Sequence, residues 1–239
     1  MIFDESLIKE IINVLPILEP HEVYLMMLAV RGSKLHKELG TPKLKDTVLA
    51  RQVVRAKDWP EKLLLGARRL SALAASGGYV IHGVTVKPEY CGILFTPNPR
   101  NALNAAVGLI EEIARGLREL YVSSDKTHCL HELSKIDVRF FAQLHKRSSR
   151  KLFLTIDVDE PDKYGEARDL VSSFKIAWIS KTPKGYHIVL RLEGNDRADF
   201  YRQRYPDKIK SLGGVEIHDD PMEPLPGTIY RGHKVVIIE

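Results

Sequence analysis

The stretch that most constrains this chain is Lys151 to Asp159, KLFLTIDVD. At the two-residue period of a strand, Leu152, Leu154, Ile156 and Val158 form one apolar face, while Lys151, Phe153, Thr155, Asp157 and Asp159 share the other. The pattern predicts a strand that ends in two carboxylates on its non-core face. Side chains at i and i+2 lie about 6.6 Å apart along a strand, and at an effective dielectric near 20 two such charges repel by about 2.5 kcal/mol. A divalent cation turns that repulsion into attraction. In open water the repulsion falls below about 1 kcal/mol and the pair needs no ligand.

Downstream, the periodicity predicts strand 151–158, helix 163–173, strand 175–180, strand 185–192, helix 196–211 and strand 214–218. This is the β-α-β-β-α-β order of an RRM-type, ferredoxin-like split unit. In that unit the first and third strands are antiparallel central neighbours, with the fourth strand on the other flank of the first. In the third strand, GYHIVLRL, Tyr186, Ile188, Leu190 and Leu192 take the core parity and His187 the open one. In the fourth, Val215 and Ile217 are buried by parity, leaving Glu216 and His218 open. His187 and Glu216 should therefore flank Asp157 and Asp159 at one end of the sheet. Asp219 falls on the core face if the strand continues, but a turn after His218 frees it as a second choice.

Asp157, Asp159 and Glu216, with Asp219 as the further candidate, offer hard oxygen ligands that suit Mg²⁺ or Mn²⁺. Two such ions serve an in-line displacement at phosphorus. His187, Lys184 and Lys181 offer donors to a triphosphate. The hairpin SKTPKGYH carries lysines and no acid, which disfavours cyclase-type palms.

The rest of the chain is read more simply. The spacing of Phe3, Leu7, Ile11 and Leu15 predicts a first helix, a second follows from about His21, Asp46 caps a third carrying Leu49 and Val53, and Pro60 opens a fourth with Leu63, Ala67, Leu70 and Ala74 before Gly77-Gly78. Residues 1–90 are thus expected to be a helical N-terminal part, and 91–239 a catalytic core containing the split unit 151–218, in one compact α+β domain. Tyr79 to His82 and Gly92 to Thr96 read as short strands. Asn98-Pro99 then reads as a helix start, with Leu103, Val107, Ile110, Ala114 and Leu117 as the buried stripe of the following helix and Leu130 to Leu144 as another. Arg31, Lys34 and Lys37 near the end of the second predicted helix suit its macrodipole, with contact to a nucleic-acid template as the alternative. Lys146, Arg147, Arg150 and Lys151 close a helix in the same way, or line the route of a phosphate-bearing ligand.

A net charge of +5 tilts weakly toward a polyanionic partner, because 36 basic residues are interleaved with 31 acidic ones. Cys91 and Cys129 have no CxxC spacing, which fits a reducing, cytoplasmic setting. His128, Cys129 and His131 do not share one helix face, so they read as helix surface rather than as metal ligands. With no apolar run near 18 residues and no leader after Met1, no membrane is expected as a partner.

The strand ending in Asp157 and Asp159, the element Gly185-Tyr186-His187 and the pair Val215-Glu216 together resemble the archaeo-eukaryotic primase superfamily, in the form of a minimal prim-pol domain. Asn98-Pro99-Arg100, KRSSRK before the key strand, and Leu225-Pro226-Gly227-Thr228 add to the resemblance, which spans roughly Arg31 to the end. It implies a template-dependent nucleotidyltransferase, a primase or polymerase in which the three acids bind catalytic metals and His187 contacts the incoming nucleotide. Arg231 or Lys234 would approach its phosphates, and Arg100 would lie beside the nucleic acid. The family's third acid is usually Asp, so Glu216, Asp219 and Asp220 stay open for that role. Implied partners are single-stranded DNA or RNA template and nucleoside triphosphates. No cysteine-based zinc stem or helicase module is present, so a helicase or accessory primase chain is a further expected partner. A metal-dependent nuclease or phosphodiesterase would use the same acids. A non-catalytic RRM-type binder would need aromatics on the open strand faces, where only Phe153 qualifies.

Overall fold

A computed structural model describes residues 3–30, 32, 46–81 and 83–239. Its helices are α1 (Glu5–Val14), α2 (Glu61–Ser76), α3 (Ala102–Val122), α4 (Lys126–Ser134), α5 (Ile136–Lys146), α6 (Tyr164–Leu170), α7 (Asp196–Arg202) and α8 (Tyr205–Lys210). Its strands are β1 (Glu22–Val30), β2 (Thr47–Arg55), β3 (Val80–Ile81), β4 (Val84–Thr85), β5 (Cys91–Phe95), β6 (Arg100–Asn101), β7 (Phe153–Val158), β8 (Ile176–Lys181), β9 (Tyr186–Arg191), β10 (Val215–His218), β11 (Glu223–Pro224), β12 (Ile229–Tyr230), β13 (His233–Lys234) and β14 (Val236–Ile237). The protein is mixed α+β, and no helix among the described residues is long and apolar enough to cross a membrane.

The carboxy-terminal sheet follows the expected order. Strands run β10-β7-β9-β8-β14, each pair antiparallel. Leu154, Ile156 and Val158 of β7 join Ile188, Leu190 and Val215 beneath Ala167, Phe200 and Ile209 from the three covering helices. The predicted helix 196–211 is two helices. Arg204 takes a left-handed conformation (φ 59°) just before Pro206, whose ring cannot continue the preceding hydrogen-bond ladder.

The N-terminal part departs from expectation. Residues 22–30 and 47–55, expected as helices, form the adjacent strands β1 and β2 of a second sheet ordered β13-β12-β5-β1-β2, with β11 also on β5 and β6 on β1. EVYLMMLAV is buried at almost every position, so it shows the continuous apolar run of a strand covered on both faces rather than either period. In β2, the spacing of four that put Leu49 and Val53 on one helix face also puts them on one strand face, because four is even. The β1–β5 ladder joins residues on either side of position 90. Helices α1 and α2 appear as expected.

Helix α3 also faces the other way. Leu103, Val107, Ile110 and Leu117 are 64, 48, 66 and 54 % exposed, and the buried positions are Ala105 and Gly108. Small residues turn inward because α4 and α5 approach closely there. A Cβ at Gly108 would lie 2.5 Å from Gln143 Oε1, and one at Gly116 2.7 Å from Leu133 Cδ2. The helix is capped by Asn101, which accepts from Asn104 N–H at 2.8 Å, and not by Asn98.

The two sheets pack face to face. Phe153 of β7, Trp178 of β8 and Val189 of β9 share a core with Phe95 of β5 and Leu225, with Trp178 5.6 Å from Phe153 and 6.2 Å from Phe95 between ring centroids. The β7 face expected to be open is therefore roofed by the N-terminal sheet, and only its Asp157 end emerges.

Candidate active site

Where the sheets diverge they leave a cavity of about 590 Å³. Its floor is a row across three strands. Glu216 is the register partner of Asp157 on one side, and His187 is its partner on the other. Asp159 follows at the end of β7, its backbone N–H donating to Gly214 O at 3.0 Å. Its carboxylate accepts no hydrogen bond and joins no ion pair among the described residues. Asp157, Asp159, His187, Glu216, His218 and Lys184 all line the cavity, and Arg231 lines it from the β12–β13 turn.

Gly185 explains how the row closes at one end. A Cβ there would sit 1.7 Å from the carbonyl oxygen of Val158, so only glycine lets the start of β9 reach the end of β7. Gly185→Ala is expected to push these backbones apart, cost about 1–3 kcal/mol in urea unfolding, and displace His187 from Asp157.

His187 Nε2 lies 3.4 Å from Asp157 Oδ1, and its Nδ1 lies 2.7 Å from Glu223 Oε2. Burial alone would lower the imidazole pKa, but the charge and hydrogen bond of Glu223, then Asp157 and Asp159, hold it above the ordinary histidine value. His218 Nε2 sits 3.9 Å from both Asp157 and Glu216, and its pKa is likewise raised, chiefly by Asp157. Burial would raise the Asp157 pKa, but His218, His187 and Arg231 outweigh it and keep the carboxyl below its usual value. The site therefore interleaves carboxylates with cationic groups.

Several expected site residues are engaged elsewhere. Asp219 does not line the cavity: it binds Arg197, Lys151 at 3.0 Å and Tyr201 at 2.7 Å. Arg150 is held by the buried Glu22 and donates to Ile17 O at 2.8 Å. Lys234 pairs with Asp4 at 2.6 Å. Arg100 is fully buried and bonds Asp220, so it is no surface for nucleic acid. Lys181 is exposed at the end of β8, between β9 and β14, and Lys146 and Arg147, at the end of α5, do not line the cavity. Arg31 and Lys34 lie outside the described residues. Asp219, Arg150, Lys234 and Arg100 have each found a partner of opposite charge within the fold, which local spacing does not encode. The Pro226-Gly227-Thr228 element is a docking point. Gly227 (φ 81°) accepts from Asp4 N–H at 2.8 Å, and a Cβ there would be 2.4 Å from Asp4 O. By anchoring the chain there, it sets the following hairpin that carries Arg231 to the cavity.

Arg231 itself adopts φ 53°, a conformation unusual for a side-chain-bearing residue and often found where position matters for function. Its guanidinium lies 5.3 Å above the Tyr230 ring, and its buried Nε has no hydrogen-bond partner. The residue that sequence reasoning missed is Glu223, whose side chain is 2 % exposed. The available signal was an acid between Met222 and Pro224-Leu225-Pro226, since a carboxylate in an apolar run needs a specific partner.

Among the described residues no three or more His, Cys, Asp or Glu side chains are already gathered as a metal cluster. The chemistry of the donor set still suits a hard divalent ion: two carboxylates from one strand end, one unpartnered, with Glu216 on the adjoining strand. No family model, curated protein or solved structure matches this chain.

Proposed function

We propose that the chain is a template-dependent nucleotidyltransferase, a primase or polymerase of the archaeo-eukaryotic primase type, with the two sheets forming its prim-pol arrangement. The observation that carries this reading is the row Glu216–Asp157–His187 across three adjacent strands, opening on a cavity whose other wall presents Arg231. Asp157, Asp159 and Glu216 would hold Mg²⁺ or Mn²⁺, which when bound supplies Lewis-acid activation and neutralises phosphate charge. The protein's own groups do the positioning. Lys184, Arg231 and the Nε2 side of His187 bind the triphosphate oxygens through charge-assisted hydrogen bonds. The reaction joins a 3′-hydroxyl to the α-phosphate of a nucleoside triphosphate and releases pyrophosphate. Single-stranded DNA or RNA is the proposed template.

The roofed face of the sheet weighs against an RNA-binding module that stacks bases on its strands, because Phe153 is fully buried. The test is incubation of the protein with single-stranded template, Mn²⁺ and nucleoside triphosphates, with and without primer. Growth of a product chain only when nucleotides are present supports the reading. Shortening of the template without added nucleotides assigns the site to a nuclease, and no change in either strand rejects both.

A further inference from the structure

We infer that Glu223 is a positioning residue that aims His187, accepting the Nδ1 hydrogen of the ring so that Nε2 faces Asp157 and the cavity. What the aimed ring then does rests on the nucleotidyltransferase reading; the contact itself does not.

Three observations carry it. First, Glu223 and His187 belong to different sheets: Glu223 sits in β11 on the N-terminal sheet, and His187 in β9 on the other. Their 2.7 Å contact is a polar pin across the cleft between the sheets. Second, the carboxylate is 2 % exposed and has no other hydrogen-bond or ion-pair partner among the described residues. A buried carboxylate without a partner is strongly disfavoured, so the pair is held together from the Glu223 side. Third, the last torsion of a histidine is broad and roughly two-fold, so a ring with uncommitted nitrogens can flip, exchanging Nε2 with Cε1 and turning a carbon toward Asp157. With Nδ1 committed to Glu223, Nε2 is left 3.4 Å from Asp157 Oδ1. Fixing one ring nitrogen in order to define the other is how histidines are oriented at working sites.

The test compares Glu223→Ala, Glu223→Gln, His187→Ala and the double variant Glu223→Ala/His187→Ala. The primary readout is affinity for ATP and dATP with Mn²⁺ by calorimetry, with thermal melts to confirm folding. Glu223→Ala should weaken triphosphate binding by about 10–100-fold, the range seen when an orienting partner is removed. The double variant should bind no more weakly than His187→Ala alone, because Glu223 acts only through the ring. Glu223→Gln, whose amide oxygen still accepts from Nδ1–H, should recover to within a few-fold of wild type. Given measurable binding by wild type, losses that multiply in the double variant, or a folded Glu223→Ala that binds like wild type, overturn the inference.

Histidine nitrogen NMR separates this inference from the reading it deepens. The wild-type ring should carry its Nδ1 proton in a hydrogen bond, a signature that Glu223→Gln keeps and Glu223→Ala loses. If wild type binds no triphosphate but the signature behaves this way, the nucleotide reading fails and the positioning role stands. A signature unchanged by Glu223→Ala removes the positioning role whatever the binding data show.

Discussion

Asp157→Asn should reduce nucleotide incorporation by more than about 100-fold while leaving the chain folded. Asp157 is the middle of the row: Glu216, His187 and the ring of His218 all converge on it. Loss of an outer-shell partner of a metal ligand lowers affinity or activity by about 10–100-fold, and loss of the anionic ligand itself should exceed that range. Asparagine keeps the size and one carbonyl oxygen of the side chain but removes the charge, so the effect isolates the electrostatics of the site. Single-turnover incorporation with saturating Mn²⁺ measures it. Incorporation within a few-fold of wild type would remove Asp157 from the chemistry, and with it the assignment of the whole row.

The parts of this site that a reader of the sequence can find are those governed by period and register. Asp157, His187 and Glu216 lie on strands whose alternation is clean, and antiparallel pairing then brings them into one row without further information, with Asp159 just beyond the end of β7. The N-terminal sheet was hidden for two reasons. Strand β1 is covered on both faces and so has no period, and β2 carries an even spacing that suits either a helix or a strand. Because that sheet supplies Glu223 and Arg231, the roof of the cavity was largely invisible as well, although the resemblance pointed to Arg231. The apolar stripe of α3 misled for a different reason. Its small residues face the neighbouring helices, and burial there follows from how closely backbones approach rather than from side-chain hydrophobicity. Charged residues were the least legible, since Arg100, Arg150, Lys234 and Asp219 each have partners far along the chain.

Asp220→Ala should lower stability by about 3–5 kcal/mol, the cost of stranding a buried charge. Arg100 is fully buried, and its guanidinium donates to Asp220 Oδ2 at 2.5 Å, to Ser148 Oγ at 2.7 Å and to the backbone carbonyl of His145 at 2.8 Å. Asn98 reinforces the carboxylate at 3.2 Å while also donating to Phe153 O and accepting from Phe153 N–H, so the cluster ties the segment before α3 to the first residue of β7. Burial pulls the Arg100 pKa down against the support of Asp220, which is the mark of a cation that depends on its partner. For a chain of this size the expected loss lowers the melting temperature by roughly 6–20 °C. Asp219→Ala is the contrasting variant. Its partners sit near the surface and its side chain is 39 % exposed, so its removal should cost about 1 kcal/mol or less. The comparison also decides what Asp220 is for. As an anchor it fails by unfolding, and Asp220→Asn, which keeps the size but not the charge, should be destabilised too. As the third metal ligand it would fail instead by lost incorporation at unchanged stability, and that result would move the third acid from Glu216 to Asp220.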